Sequence, residues 1–124
     1  MHSMKSLGIF LIWRLLPLLL WCVFIFSLSS KSSLPGDNLG PIDYIFRKLA
    51  HMGTYFVLFY LAFRLFPGWK LKDRVLFAVI FAFGYAVSDE MHQGYVPGRT
   101  GTPRDWWFDG LGISFGALRV FGLL

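Results

Sequence analysis

The sequence predicts an all-α integral membrane bundle of four transmembrane helices. Three observations predict it. Hydrophobic residues make up 56% of the 124 residues and charged ones only 15%, a balance foreign to a soluble globule of this length. The 14 Phe, 5 Trp and 5 Tyr supply lipid-facing and interfacial side chains. Four apolar runs are separated by short segments rich in Gly, Pro and charge. One domain, residues 1–124, holds all four.

The first helix spans about residues 7–28. A signal peptide would also be apolar here, but this run exceeds 20 residues and lacks a clear small-x-small cleavage site. Arg14 lies inside it and is expected to snorkel to the nearer surface. Pro17 removes an N–H, so a neighbouring helix must satisfy the carbonyl it frees. The single Cys22 rules out an intramolecular disulfide and a cysteine metal cluster. Residues 29–41, SSKSSLPGDNLGP, read as a loop.

The second helix is expected over about residues 43–66. Its uncharged core, Leu49 to Phe63, is short, so Lys48 and His51 fall near an interface. Lys48, His51 and Tyr55 recur at i, i+3 and i+7 and share one face. The third helix, about 74–93, holds the run Val75 to Val87, which is only about 20 Å long as a helix. A bilayer core of about 30 Å needs about 20 residues. To cross, this helix must continue through Asp89 and Glu90 toward Gln93. Ionisable groups at that depth are costly and usually functional. The fourth helix, about 105–123, opens on Asp105, Trp106, Trp107 and Asp109. Gly112 and Gly116 continue the Asp105–Asp109 stripe and would let another helix approach closely.

The connection between helices two and three holds Arg64, Lys70, Lys72 and Arg74 against Asp73. Residues 37–48 carry two acids and two bases, and residues 89–105 carry three acids and two bases. The positive-inside rule then places this connection and both termini in the cytoplasm. The basic residues flank apolar runs, so the net charge of +5 reflects membrane orientation rather than nucleic-acid binding. The polar ends of helices two, three and four converge on the outer face. There Lys48, His51, Tyr55, Asp89, Glu90, Gln93, Arg99, Asp105 and Asp109 form the candidate site. Asp89 is expected to turn inward toward His51. Glu90, about 100° round the helix, is expected to cap the pocket or pair with Arg99, behaving as a screened interfacial charge. No zinc spacing, P-loop, nucleophile elbow or dinucleotide fingerprint occurs, so no metal or cofactor is expected.

The order Lys48-x-x-His51-x-x-x-Tyr55, Asp89-Glu90-x-x-Gln93, Pro97-Gly98-Arg99, then Asp105 before a Gly-rich helix, resembles the VanZ-like membrane proteins over about residues 20–118. The end of the first helix, Phe26 to Ser30, is similar to theirs too. The resemblance implies a small multi-pass membrane protein of a family named for low-level resistance to the glycopeptide teicoplanin. One departure stands out: many relatives carry Asn where this chain has Asp109. Two functional readings follow. In the first, the outer site binds a membrane lipid or lipid-linked envelope amphiphile without chemistry. In the second, an integral-membrane hydrolase or transferase acts on a lipid headgroup, with His51 as base or nucleophile, Asp89 and Glu90 as orienters and Arg99 as phosphate clamp. A third leaves the bundle as a structural subunit of a homo-oligomer or of another membrane protein.

Overall fold

A computed structural model of the chain describes residues 2–30, 40–97 and 104–124. For His2, Ser3, Asp43, Arg104 and Asp105 only the backbone is described. The described residues are helical apart from short turns, and no strand occurs among them. The elements are α1 (His2–Phe10), a π-helical turn (Leu11–Leu15), α2 (Leu16–Ser29), α3 (Pro41–Phe63), α4 (Leu71–Gly94) and α5 (Arg104–Val120).

Pro17 accounts for the irregularity of the first helix. It sits in the first turn of α2, where a missing N–H costs least, and the π turn precedes it. The Trp13 carbonyl, four residues before Pro17, accepts instead from Arg64 Nη2 at 3.0 Å. Arg14 Nη1 donates in return to the Arg64 carbonyl. Arg14 is therefore tied to the C-terminal end of α3 by a hydrogen bond. Replacing Arg64 by Ala should cost about 1 kcal/mol, the net contribution of one hydrogen bond. Thermal midpoints in detergent would show it; an unchanged midpoint would mean that another donor serves Trp13.

α3 starts two residues earlier than the sequence predicts, because Pro41 takes a first-turn position where its fixed φ suits a helix. It stops three residues earlier, at Phe63. Its last carbonyls are taken over by side chains: Arg74 Nε and Nη2 donate to Phe63 O at 3.3 and 3.2 Å. Phe66, Trp69 and Phe77 then close the turn to α4, with Phe66 and Trp69 stacked at 4.3 Å.

The interior is lined with small residues. α4 buries Val75, Ala78, Ala82, Ala86, Asp89 and Gln93, spaced three or four apart along one face. Its outer face exposes Leu76, Ile80 and Phe83. On α5, Gly112, Ile113 and Gly116 are buried, while Leu111, Phe115 and Leu118 are exposed. Small residues inward and large apolar ones outward suit helices that pack in lipid. The stripe on α5 faces α3 as expected. A Cβ on Gly112 would fall on the Met52 backbone carbonyl, and one on Gly116 on the Phe59 ring.

One helix among the described residues, Met4–Ser29, is long and apolar enough to cross a membrane, with mean hydropathy 2.4. α3, α4 and α5, of 23, 24 and 17 residues, carry polar side chains that interrupt their apolar runs. Those side chains gather at one end of the bundle, where α2 ends, α3 begins, α4 ends and α5 begins.

Candidate functional site

At that end the alanine face of α4 runs out into Asp89 and Gln93. Asp89 is 6% exposed. Its Oδ1 accepts from Ser29 Oγ at the end of α2. Its Oδ2 accepts from Tyr55 Oη at 3.3 Å and from Gln93 Nε2 at 3.2 Å. Gln93 Nε2 also donates to Ser29 Oγ at 3.2 Å. One buried carboxylate thus ties α2, α3 and α4 together. Such a charge stays buried only because several donors offset its desolvation.

A second carboxylate comes from α5. Asp109 is 2% exposed, and its Oδ1 lies 3.1 Å from His51 Nδ1. With Asp109 ionised, its carboxylate only accepts, Nδ1 is the donor and the lone pair of a neutral ring lies on Nε2. His51 therefore takes Asp109 as its carboxylate, and Asp89 takes Tyr55. The reason is the close seam of α3 and α5. Gly112 meets Met52, and Asp109, one turn earlier, is carried onto His51.

Between these groups lies a cavity of about 130 Å³. Ile25, Leu28 and Ala50 give it apolar walls; Ser29, Arg47, His51, Thr54, Tyr55, Asp89 and Gln93 give it polar ones. It suits a small polar headgroup and excludes a whole amphiphile.

Not every expected residue reaches the cavity. Lys48 Nζ lies over the rings of Tyr44 and Phe108, 5.1 Å from each, on the side of α3 that faces α5. Arg47, which the sequence reading passed over, lines the cavity instead. At 100° per residue Arg47 and Lys48 fall on opposite sides of His51, so only one of them can point into the space. The i, i+4, i+8 spacing of Arg47, His51 and Tyr55 was the available signal. Glu90 is 5% exposed, as buried as Asp89, and does not line the cavity. The expectation of a screened interfacial charge is thereby corrected: salt reaches a buried carboxylate poorly. Arg99 lies outside the described residues. Asp105 falls in the first turn of α5, its side chain outside the description. Ser29 joins the site as a bridge between Asp89 and Gln93. Its neighbour Ser30 meets His92 Nε2 at 3.1 Å, and the His92 ring stacks on Phe26 at 4.4 Å. His92 thus pins α2 to α4.

Among the described residues no three His, Cys, Asp or Glu side chains gather as metal ligands do. The arrangement offers an arginine fork for an anionic oxygen, a carboxylate-held imidazole for proton transfer, and apolar walls beside both.

No curated protein and no solved structure matches the chain. The VanZ/LLP1 family matches residues 13–123, which takes in α2 to α5 and both halves of the polar end, and the chain belongs to that family.

Proposed function

We propose that the chain is a multi-pass membrane protein whose cavity holds the headgroup of an amphiphilic or lipid-linked envelope ligand, and that it contributes to glycopeptide tolerance of the teicoplanin type. The cavity carries this reading: a headgroup-sized space with Arg47 and His51 beside Ile25 and Leu28. Family membership supports the membrane setting. So does the outward display of Leu76, Ile80, Phe83, Leu111 and Phe115, which in water would form an aggregating surface. Four crossings bring the cavity to the outer interface, opposite the basic turn with Lys70 and Lys72. An acyl tail could then stay in lipid while its headgroup enters the cavity.

Native mass spectrometry of the full chain with retained lipids tests the reading. A specific amphiphile should co-purify and be lost in Arg47→Ala. If no retained species is lost in that variant, the cavity is removed from consideration. Topology is checked separately by cysteine labelling in a Cys22→Ala background. Position 72 should label only from the cytoplasm and position 98 only from outside. Labelling of position 72 in intact cells would reverse the orientation.

A second reading is favoured by the His51–Asp109 contact. A carboxylate-held imidazole at a cavity wall is how a general base is positioned, which makes the chain a hydrolase or transferase acting on a lipid headgroup. Under this reading Asp109→Asn should lower turnover of the retained lipid by about 10²–10⁴-fold with binding kept. Under the binding reading Asp109→Asn leaves the ligand unchanged.

A further inference from the structure

The opposite end of the bundle has its own charge problem. Three arginines bond backbone carbonyls there, around the C-terminal end of α3. Arg74 donates to Phe63 O and its guanidinium sits 3.9 Å from the Phe63 ring centre. Arg14 donates to the next carbonyl, Arg64 O. Arg64 itself reaches Trp13 O at 3.0 Å. The acceptors of all three are backbone carbonyls and, among the described residues, none is a carboxylate. All three side chains are half-buried.

We propose that Arg14, Arg64 and Arg74 form a clamp for the phosphate of an anionic phospholipid. The helix C-terminus they surround supplies only about half a negative charge, against three full positive ones. Like charges in a partly dry setting repel strongly, and an anion is needed to offset them. The acid nearest in sequence, Asp73 in the first turn of α4, makes no hydrogen bond to any of the three. Each guanidinium carries five N–H donors. The carbonyl bonds occupy one on Arg14, one on Arg64 and two on Arg74, and the remaining donors match phosphate oxygens.

Position selects a lipid over a free anion. Arg14 precedes Ser29 by 15 residues, about 22 Å of helix, so it stands inside a core of about 30 Å. An ion from bulk water would have to enter the apolar layer, whereas a lipid phosphate is already at its edge. Trp13 and Trp69, 65% and 48% exposed, flank the cluster as interfacial aromatics do.

Equimolar dioleoylphosphatidylglycerol and dioleoylphosphatidylcholine, added to the purified full chain and read by native mass spectrometry, test the clamp. The wild type should retain the anionic lipid at least about fivefold over the zwitterionic one, as one basic contact near a membrane surface provides. Arg14→Gln/Arg74→Gln should bring the two to parity, whereas Lys70→Gln/Lys72→Gln should leave the preference in place. Equal retention by the wild type overturns the proposal without recourse to any variant. Loss of preference in Lys70→Gln/Lys72→Gln would assign it to diffuse loop charge and overturn the clamp. Loss in Arg47→Ala alone would place the lipid in the cavity at the other end, again against it. Inorganic phosphate that raises the thermal midpoint as far as phosphatidylglycerol does would overturn the lipid assignment.

Discussion

Leucine at position 112 should break the bundle along the α3–α5 seam. The first carbon of any side chain there falls on the Met52 carbonyl oxygen, with Met52 C and Cα at only 2.9 and 3.0 Å. Those atoms are backbone in the middle of α3 and cannot swing aside, so the helices must separate. Overpacking typically costs 1–3 kcal/mol, and this site belongs at the upper end, at about 3 kcal/mol. We expect Gly112→Leu to accumulate poorly and to melt well below the wild type in detergent. Gly112→Ala should be weaker in the same direction. Gly110→Ala is the control, since a Cβ at Gly110 meets nothing within 4 Å. Equal midpoints for the variants at 110 and 112 would mean that the seam is not where the structure puts it.

Asp89 should show the largest separation of function from folding. In Asp89→Ala, Tyr55, Ser29 and Gln93 lose their common acceptor, and each buried donor left unsatisfied costs about 1–3 kcal/mol. Asp89→Asn is gentler. Its carboxamide oxygen can serve Tyr55 and Gln93, while its NH₂ meets the Ser29 hydroxyl, which rotates to accept. The network is kept and the charge is lost. We expect Asp89→Asn to fold, with a midpoint close to or above the wild type, and to fail in complementation of glycopeptide tolerance at matched membrane abundance. Glu90→Gln, buried but away from the cavity, should complement better, and its phenotype should not be mimicked by added salt. Full complementation by both variants would remove the carboxylates from the functional site. Loss confined to Glu90→Gln would exchange their roles.

Much of this arrangement was legible in the residues. Apolar runs set the helices, and the need to lengthen Val75–Val87 drew Asp89 and Glu90 to attention. The i, i+4 relation of Asp89 to Gln93 gave their common face. Gly112 and Gly116 pointed to a close contact. What spacing along one helix cannot supply is register between helices. His51 was expected to meet Asp89 and instead meets Asp109, because the depth at which α5 rests on α3 is set by Gly112 against Met52. The same limit hid Arg47. Arg47 and Lys48 fall either side of His51, and only knowing where α5 lies decides which enters the cavity. The early stop of α3 was hidden for another reason. Leu65 and Phe66 prolong the apolar run, but Arg74 and Arg14 take the carbonyls that a longer helix would have used. For Arg99 and the Asp105 side chain the comparison does not arise, since they lie outside the described residues.

His51 stands on the border between two surfaces of α3: Arg47 and Thr54 look into the cavity on one side, and Met52 bears on Gly112 on the other. Its ring is gripped from the α5 side by Asp109. Whatever enters the cavity and touches the imidazole therefore also acts on the joint between the helices. Thermodynamic linkage makes that influence mutual. An occupant that prefers the gripped ring tightens the joint by the same factor by which a tight joint favours the occupant. Loosening α5, far from any ligand atom, would then register as lost affinity, and the strength of the joint becomes a dial for the occupancy of the cavity.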